Sequence, residues 1–276
     1  MDLRRIDDDT GIAWEVCHHE RALAAATVQA GSEPTARFLR LEVDPQHRGR
    51  GIGSWLIGTI IDELRAAGVE MLETLVVTGS AGARFATRHG ATSGDHLVTD
   101  ILDLTRADRV RLSQLVQDLP GEYVLQRWHG HAPPSLINSY AQARKAIRDA
   151  PNRYPPPVPE WTPAAIRKSE QHRAQQGESP WVTAATLDGQ VVAFTEALTT
   201  ESPDAEQHDT AVVRAHRRRG LAGAVKADLI LRLCRQRPDL RSLAVTYALS
   251  NTGMQAVNRE LGFEELHRRD LVRLPL

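Results

Sequence analysis

The chain has 276 residues, enough for two domains that each bury a core. Its formal net charge is −1 and arginine carries nearly all the basic charge, with Lys145, Lys168 and Lys226 the lysines, so the composition gives no basic face for nucleic acid. No apolar run reaches the ~20 residues of a membrane span, the polar start (Asp2, Arg4, Arg5, Asp7, Asp8, Asp9) is unlike a signal peptide, and two cysteines make neither a disulfide framework nor a CxxC pair, all of which suits a cytoplasmic protein.

Residues 11–20, 21–30 and 36–44 read as strands. A helix follows Gly53, with Leu56, Ile57, Ile60, Ile61 and Leu64 on one face, and stops at Gly68. Residues 71–77 form a strand, 80–89 a short helix and 98–104 a closing strand. Cys17-His18-His19 is a poor chelate, because neighbours on a strand point to opposite faces, and no metal is expected. Residues 107–119 make a connecting helix, broken by Pro120-Gly121. A strand at 123–128 and a helix at 134–149 come next. Six prolines in 150–163 then require a stiff, extended loop. A helix at 162–177, capped by Thr162, leads to strands 181–187 and 191–198 joined at Asp188-Gly189. Residues 207–215 are a strand, followed by a helix ending before Pro238, a strand at 241–248, a helix at 251–261 and a strand at 266–274.

One stretch occurs twice. Leu41-Glu-Val-Asp-Pro-Gln-His-Arg48-Gly-Arg-Gly51-Ile-Gly53 and Thr210-Ala-Val-Val-Arg-Ala-His-Arg217-Arg-Arg-Gly220-Leu-Ala222 each run from strand through a basic turn into an apolar-periodic helix. Such a turn presents unpaired N–H groups at a helix N-terminus, a ready site for phosphate. Small residues at 51, 53, 220 and 222 let a ligand approach the backbone. No Gly-Lys-Ser/Thr follows, so neither is a Walker loop, and the third glycine of the dinucleotide fingerprint is missing. Both spell Arg-x-x-Gly-x-Gly/Ala. Each is followed by a second marker: Phe85-Ala-Thr-Arg-His-Gly90-Ala91, its Gly90 42 residues beyond Arg48, and Val257-Asn-Arg-Glu-Leu-Gly262-Phe263, its Gly262 45 residues beyond Arg217.

These paired motifs resemble the GNAT superfamily of acyl-CoA-dependent N-acyltransferases. The second half resembles a group of tandem GNAT proteins through Trp128, Ala132-Pro133, Tyr140, Asp149-Ala150-Pro151, Trp161-Thr162, Thr195-Glu196, Gln207, Thr210, His216-Arg217, Lys226, Asn251, Met254 and Val257-Asn258. The first half does so through Pro45, the loop 48–53, Phe85 and Leu102-Asp-Leu. The resemblance implies an α/β protein of two GNAT units, each a mixed, mostly antiparallel sheet with flanking helices. They would cover 1–106 and 107–276 and be related by a pseudo-twofold in a monomer or homodimer. The first unit is expected to start late, without the opening strand and two helices that wall the acceptor cleft. The second is expected to be complete and catalytic, its cleft lined by the helices around Tyr140 and Thr162 and the Pro-rich loop.

The implied co-substrate is acetyl-CoA or another short acyl-CoA, with no metal. Its pyrophosphate would lie on Arg217, Arg218, Arg219, Gly220, Leu221 and Ala222, its pantetheine along the backbone of Val212 and Val213, with Asn251 and Asn258 nearby. Val43, Arg48, Gly51 and Gly53 are the first-half counterparts. Acyl transfer needs an oxyanion donor, for which a strand N–H serves, together with a base for the ammonium and an acid for the thiolate. Most GNATs carry a tyrosine four residues before the marker glycine; Ala86 and Asn258 stand there. Tyr247, at a position usually held by asparagine, is the substitute acid. Glu196 and Asp209 are the leading base candidates, beside Glu206 and His208, and a water relay is the alternative. Strand alternation puts Glu206, His208 and Thr210 on one face and Gln207 and Asp209 on the other. The leading function is N-acetylation of a small-molecule amine, a metabolite or antibiotic-type acceptor. A protein N-terminus or lysine as acceptor, and a CoA-binding scaffold without turnover, are the other two.

Overall fold

The computed structural model describes residues 2–8, 11–19, 21–30, 34–150 and 160–276. The Pro-rich segment 151–159, expected to line the acceptor cleft, lies outside them. Two compact units result: one runs from the N-terminus to His96 and takes back Arg269–Leu276, and the other is Leu97–Arg268.

In the first unit β1 (Asp2–Asp8) and β2 (Gly11–His18) form a hairpin, continued antiparallel by β3 (Arg21–Ala30) and β4 (Thr35–Val43). After α1 (Ile52–Ala66), β5 (Met71–Val77) returns parallel to β4, and α2 (Ala81–Arg88) follows. The opening strand expected to be missing is therefore present; charged residues masked its extended pattern. β2 begins at Gly11, so the two wall helices are absent from this unit among the described residues. Trp14, Val16, Ala24, Ala26 and Val28 turn one face of the sheet against Ile52, Leu56, Ile57, Ile60 and Leu64 of α1, all buried. This is the stripe that a 3.6-residue period demands.

The second unit begins inside β6 (Thr92–Asp103) and adds α3 (Arg109–Gln117), β7 (Val124–His129), α4 (Ile137–Arg144), α5 (Pro163–Gln175), β8 (Ser179–Leu187), β9 (Gln190–Thr199) and β10 (Asp204–Val212). Then come α6 (Leu221–Gln236), β11 (Ser242–Ala248), α7 (Thr252–Glu260) and β12 (Glu264–Pro275). Thr162 caps α5 through its side chain, with Pro163 in the first turn. β7, β8, β9 and β10 are antiparallel neighbours, β11 lies parallel to β10, and Leu97–Asp103 of β6 pair antiparallel with β11. α6 is buried nearly all round, with Leu229, Ile230 and Leu233 against Leu243 and Val245 of β11.

The division expected at residue 106 thus differs from the compact units. Of residues 98–104, expected to close the first sheet, 98–103 pair with β11 of the second. Of residues 266–274, expected to complete the second sheet, 269–274 pair with β5 of the first. Each long closing strand changes unit part-way, which hydrophobic pattern cannot reveal because it marks strands and not their partners.

Candidate active site

The two Arg-x-x-Gly turns have the same shape. Gly49 and Gly51 stand at φ 74 and 81°, Arg218 and Gly220 at φ 60 and 77°. Consecutive N–H groups near a left-handed residue form a concave anion cradle at the start of α1 and of α6. Only Arg218 pays for it with a side chain in a region that favours glycine. The motif arginines clamp the turn: Arg48 Nε donates to Val43 O and Arg217 Nε to Val212 O, both at 3.0 Å. At Gly53 a Cβ would stand 3.3 Å from Val43 Cγ2 and 3.6 Å from Phe85, so glycine there lets α1 approach β4.

Beside each turn the parallel strands part. β4 pairs with β5 only through Thr35–Arg37 and Met71–Glu73, and β10 with β11 only through Asp204–Gln207 and Ser242–Val245. Beyond those points β4 stays on β3 and β5 on residues 269–275, while β10 stays on β9 and β11 on β6. In the first unit the opening is a cleft of about 910 Å³, lined by Phe38–Val43, Leu72–Val77, the loop residues Arg48, Gly49, Gly51 and Gly53, and Ile57, Phe85, Ala86, His89 and Ala91. Ser54 Oγ lies 3.1 Å from His89 Nε2 at its edge, a pair the sequence reading did not single out.

In the second unit the corresponding positions carry larger, polar side chains that meet one another. Lys226 and Asn258 are fully buried and Tyr247 is 9% exposed. The Lys226 ammonium donates to Asn258 Oδ1 and sits 5.0 Å from the Phe263 ring centroid. Burial pushes the lysine down to about 7, with Asp100 opposing. Asn258 Nδ2 reaches Asp100 at 3.4 Å, and the Tyr247 hydroxyl donates to the same carboxylate at 2.5 Å. Burial and the bond to Asp100 raise the phenol well above its ordinary range. Tyr247 therefore does not stand free at an open strand end, as expected of a catalytic acid. Asn251 caps α7, accepting from Met254 N at 3.2 Å.

The backbone expected to take pantetheine here is also partly engaged. Val213 N–H donates to Val192 O at 2.9 Å and its carbonyl accepts from His216 N at 2.8 Å. Alternation leaves the Val212 N–H turned from β9. Two loop cations already face carboxylates, Arg217 with Asp149 at 2.5 Å and Arg219 with Glu122 at 3.0 Å.

The base candidates Glu196 and Asp209 lie in an ionic cluster. Glu196 accepts from Arg173 at 2.7 Å and from Arg144 at 3.2 Å, and Arg144 also holds Asp209 and the Tyr140 hydroxyl. The Arg144 guanidinium stacks on Trp161, 3.8 Å from the ring centroid. Burial pushes Glu196 up, but Arg144 and Arg173 outweigh it and hold the carboxyl below its ordinary range. Burial raises Asp209, against Arg144. Both carboxylates act as counter-ions, and the space between Trp128, Tyr140, Trp161, Arg173 and Glu196 is about 10 Å³, room for about one water. Arg144 and Arg173 were not anticipated; the Tyr140-to-Arg144 spacing, one helical turn, was the available signal. His208 and Glu206 pair at 3.6 Å on the surface. A bulge between Gln207 and Thr210 overrides the expected alternation: both residues bond Thr195 Oγ1, Gln207 at 2.6 Å and Thr210 at 2.8 Å. Among the described residues no group of three His, Cys, Asp or Glu side chains could hold a metal, and no helix is long and apolar enough to cross a membrane.

Comparison with known proteins agrees with this architecture. No curated protein sequence matches the chain. Among solved structures it is similar to a tandem GNAT protein from the clavulanic acid biosynthesis pathway: 28% identity, TM-score 0.77, covering 96% of this chain and 82% of that one. It shares its fold with a GCN5-related N-acetyltransferase from Sphaerobacter thermophilus (18% identity, TM-score 0.69, covering 96% and 81%). The same holds for one from Kribbella flavida (15%, 0.59, 100% and 90%). The model of the acetyltransferase (GNAT) family matches residues 2–91 and 144–263, well over half of the sequence. The chain belongs to the GNAT acetyltransferase family, as a tandem of two such units.

Proposed function

We propose that this protein transfers an acyl group from acetyl-CoA, or another short acyl-CoA, to the amine of a small molecule of metabolite or antibiotic type. The observation that carries the reading is the parting of β4 from β5 over the cradle at Arg48–Gly53, in a cleft of about 910 Å³. The residues present fit an acyl-CoA. The loop N–H groups and Arg48 suit a diphosphate. Alternate N–H and C=O groups of β4 that β3 does not use suit an extended pantetheine, added like a strand. Phe38, Leu41, Val76 and Phe85 give the walls an apolar lining.

When bound, acyl-CoA supplies an activated thioester carbonyl. The chain's own part is to hold and orient it, and to aim a β4 N–H at the developing oxyanion. Ala86 and Asn258 leave both units without the usual phenol, so proton movement from the ammonium relies on water within the cleft. The sequence placed the chemistry in the second unit, but the engaged Glu196, Asp209 and Tyr247 favour the first.

Those same engagements, with the missing phenols, support a second reading, a CoA-binding scaffold without turnover. Thiol release from acetyl-CoA against a panel of small amines, with peptide N-termini and lysines as separate arms, tests both. Release with a small amine supports the enzyme, release only with peptides moves the acceptor to protein, and binding without release supports the scaffold. The tandem GNAT relative from the clavulanic acid pathway makes amines of antibiotic biosynthesis the first to try.

A further inference from the structure

We infer that acyl-CoA is held by the first unit alone, and that the equivalent space in the second unit is filled by its own side chains, so that the chain binds one acyl-CoA and not two. This rests on the acyl-CoA reading above and adds where the ligand goes and how many are taken.

The two units can be matched residue by residue. Arg48 and Arg217 occupy the same place, since each clamps the carbonyl five residues before it. Thr35 with Met71 corresponds to Asp204 with Ser242, the first pair of each parallel ladder. Gly90 corresponds to Gly262, each left-handed at φ 89° after a short helix. From these anchors Ile57 matches Lys226, Val76 matches Tyr247, Ala86 matches Asn258 and Ala91 matches Phe263.

All four first-unit residues line the open cleft. Their four counterparts are buried and joined. Lys226 bonds Asn258 and lies over Phe263, while Asn258 and Tyr247 both converge on Asp100. Asp100 is itself buried, and it comes from β6, the strand that pairs with β11. A ligand entering between β10 and β11 would have to break this network and leave buried polar groups without partners. It would also compete with Asp149 and Glu122 for the loop arginines. In the first unit small and aliphatic side chains at the same places leave the room.

The test is titration calorimetry of the intact chain with acetyl-CoA, which needs no turnover. The inference expects one equivalent. Arg48→Gln should lose about tenfold or more in affinity, the worth of a charge-assisted bond to phosphate, and Arg217→Gln should stay within about twofold of the parent. Ile57→Lys with Ala86→Asn, which copies the second unit's filling into the first, should abolish uptake while thermal unfolding shows a folded chain. Should that pair not fold, the two arginine variants decide alone, since both arginines lie on the surface. Two equivalents, or one equivalent that Arg217→Gln removes and Arg48→Gln spares, overturns the inference and leaves the acyl-CoA reading standing. No uptake by the parent chain overturns both.

Discussion

The first and second units share a turn, a parallel pair that parts, and a marker glycine, yet they use the parting differently. The first keeps aliphatic and small residues at Ile57, Val76, Ala86 and Ala91, and a cleft remains. The second has Lys226, Tyr247, Asn258 and Phe263, and their contacts replace a ligand's. Among the described residues the first lacks the two helices between its opening strands. The second has them and spends their side chains on an ionic cluster, Arg144 and Arg173 against Glu196 and Asp209. The fold motif defines where a coenzyme could lie, and a few side chains of the surrounding shell decide whether there is space.

The strongest test of this contrast acts on the second unit's cluster. Arg144 is 3% exposed, and removing it leaves the buried Glu196 with Arg173 alone and takes the partner from the partly exposed Asp209. Arg144→Ala should cost about 3–5 kcal/mol in urea unfolding, with acetyl-CoA affinity unchanged in the fraction that remains folded. A loss of affinity without loss of stability would place ligand binding in the second unit.

Lys226 provides the next largest effect, through pH. Its folded-state proton affinity lies at about 7, below the ordinary 10.5. Between these values the unfolded chain holds the extra proton. Stability therefore rises with pH across that window, by up to about 1.4 kcal/mol per unit, and flattens below and above it. Lys226→Met should remove the slope, measured as the difference between variant and parent. An identical slope in both would show that the lysine is solvated and the filling loose.

Tyr247→Phe separates a structural phenol from a catalytic one. Removing the bond to Asp100 should cost about 1–3 kcal/mol of stability and change thiol release less than about threefold. A fall of 10²-fold or more, of the order expected for a general acid, would return the chemistry to the second unit. Gly51→Val acts on the first unit's cradle and leaves the second unit untouched. At φ 81° a β-branched residue strains the cradle by about 1–3 kcal/mol, so acetyl-CoA affinity should fall about tenfold as the loop relaxes, with the α1 core intact.

Much of the fold was legible because its punctuation is local. Arg-x-x-Gly-x-Gly encodes both the clamp and the left-handed turn, Asp188-Gly189 the hairpin, and Thr162-Pro163 the start of α5. What escaped depends on distant partners. β1 is rich in Asp and Arg, and the first half of β6, Thr-Ser-Gly-Asp-His, has no apolar alternation, so neither announces a strand. The exchange of closing strands is a matter of pairing. Lys226 and Asn258 read as polar helix positions, and only Asp100, 158 residues from Asn258, shows that they are interior. Glu196 looked like a base because the sequence does not say that Arg144 and Arg173 occupy its oxygens.

The difference between the units is tested most directly by an electron-density map from a crystal soaked in acetyl-CoA. Density for the diphosphate against Arg48–Gly53, with pantetheine between β4 and β5 and none between β10 and β11, is the predicted result. Coenzyme between β10 and β11, with Lys226 and Tyr247 displaced and the first cleft empty, would contradict it.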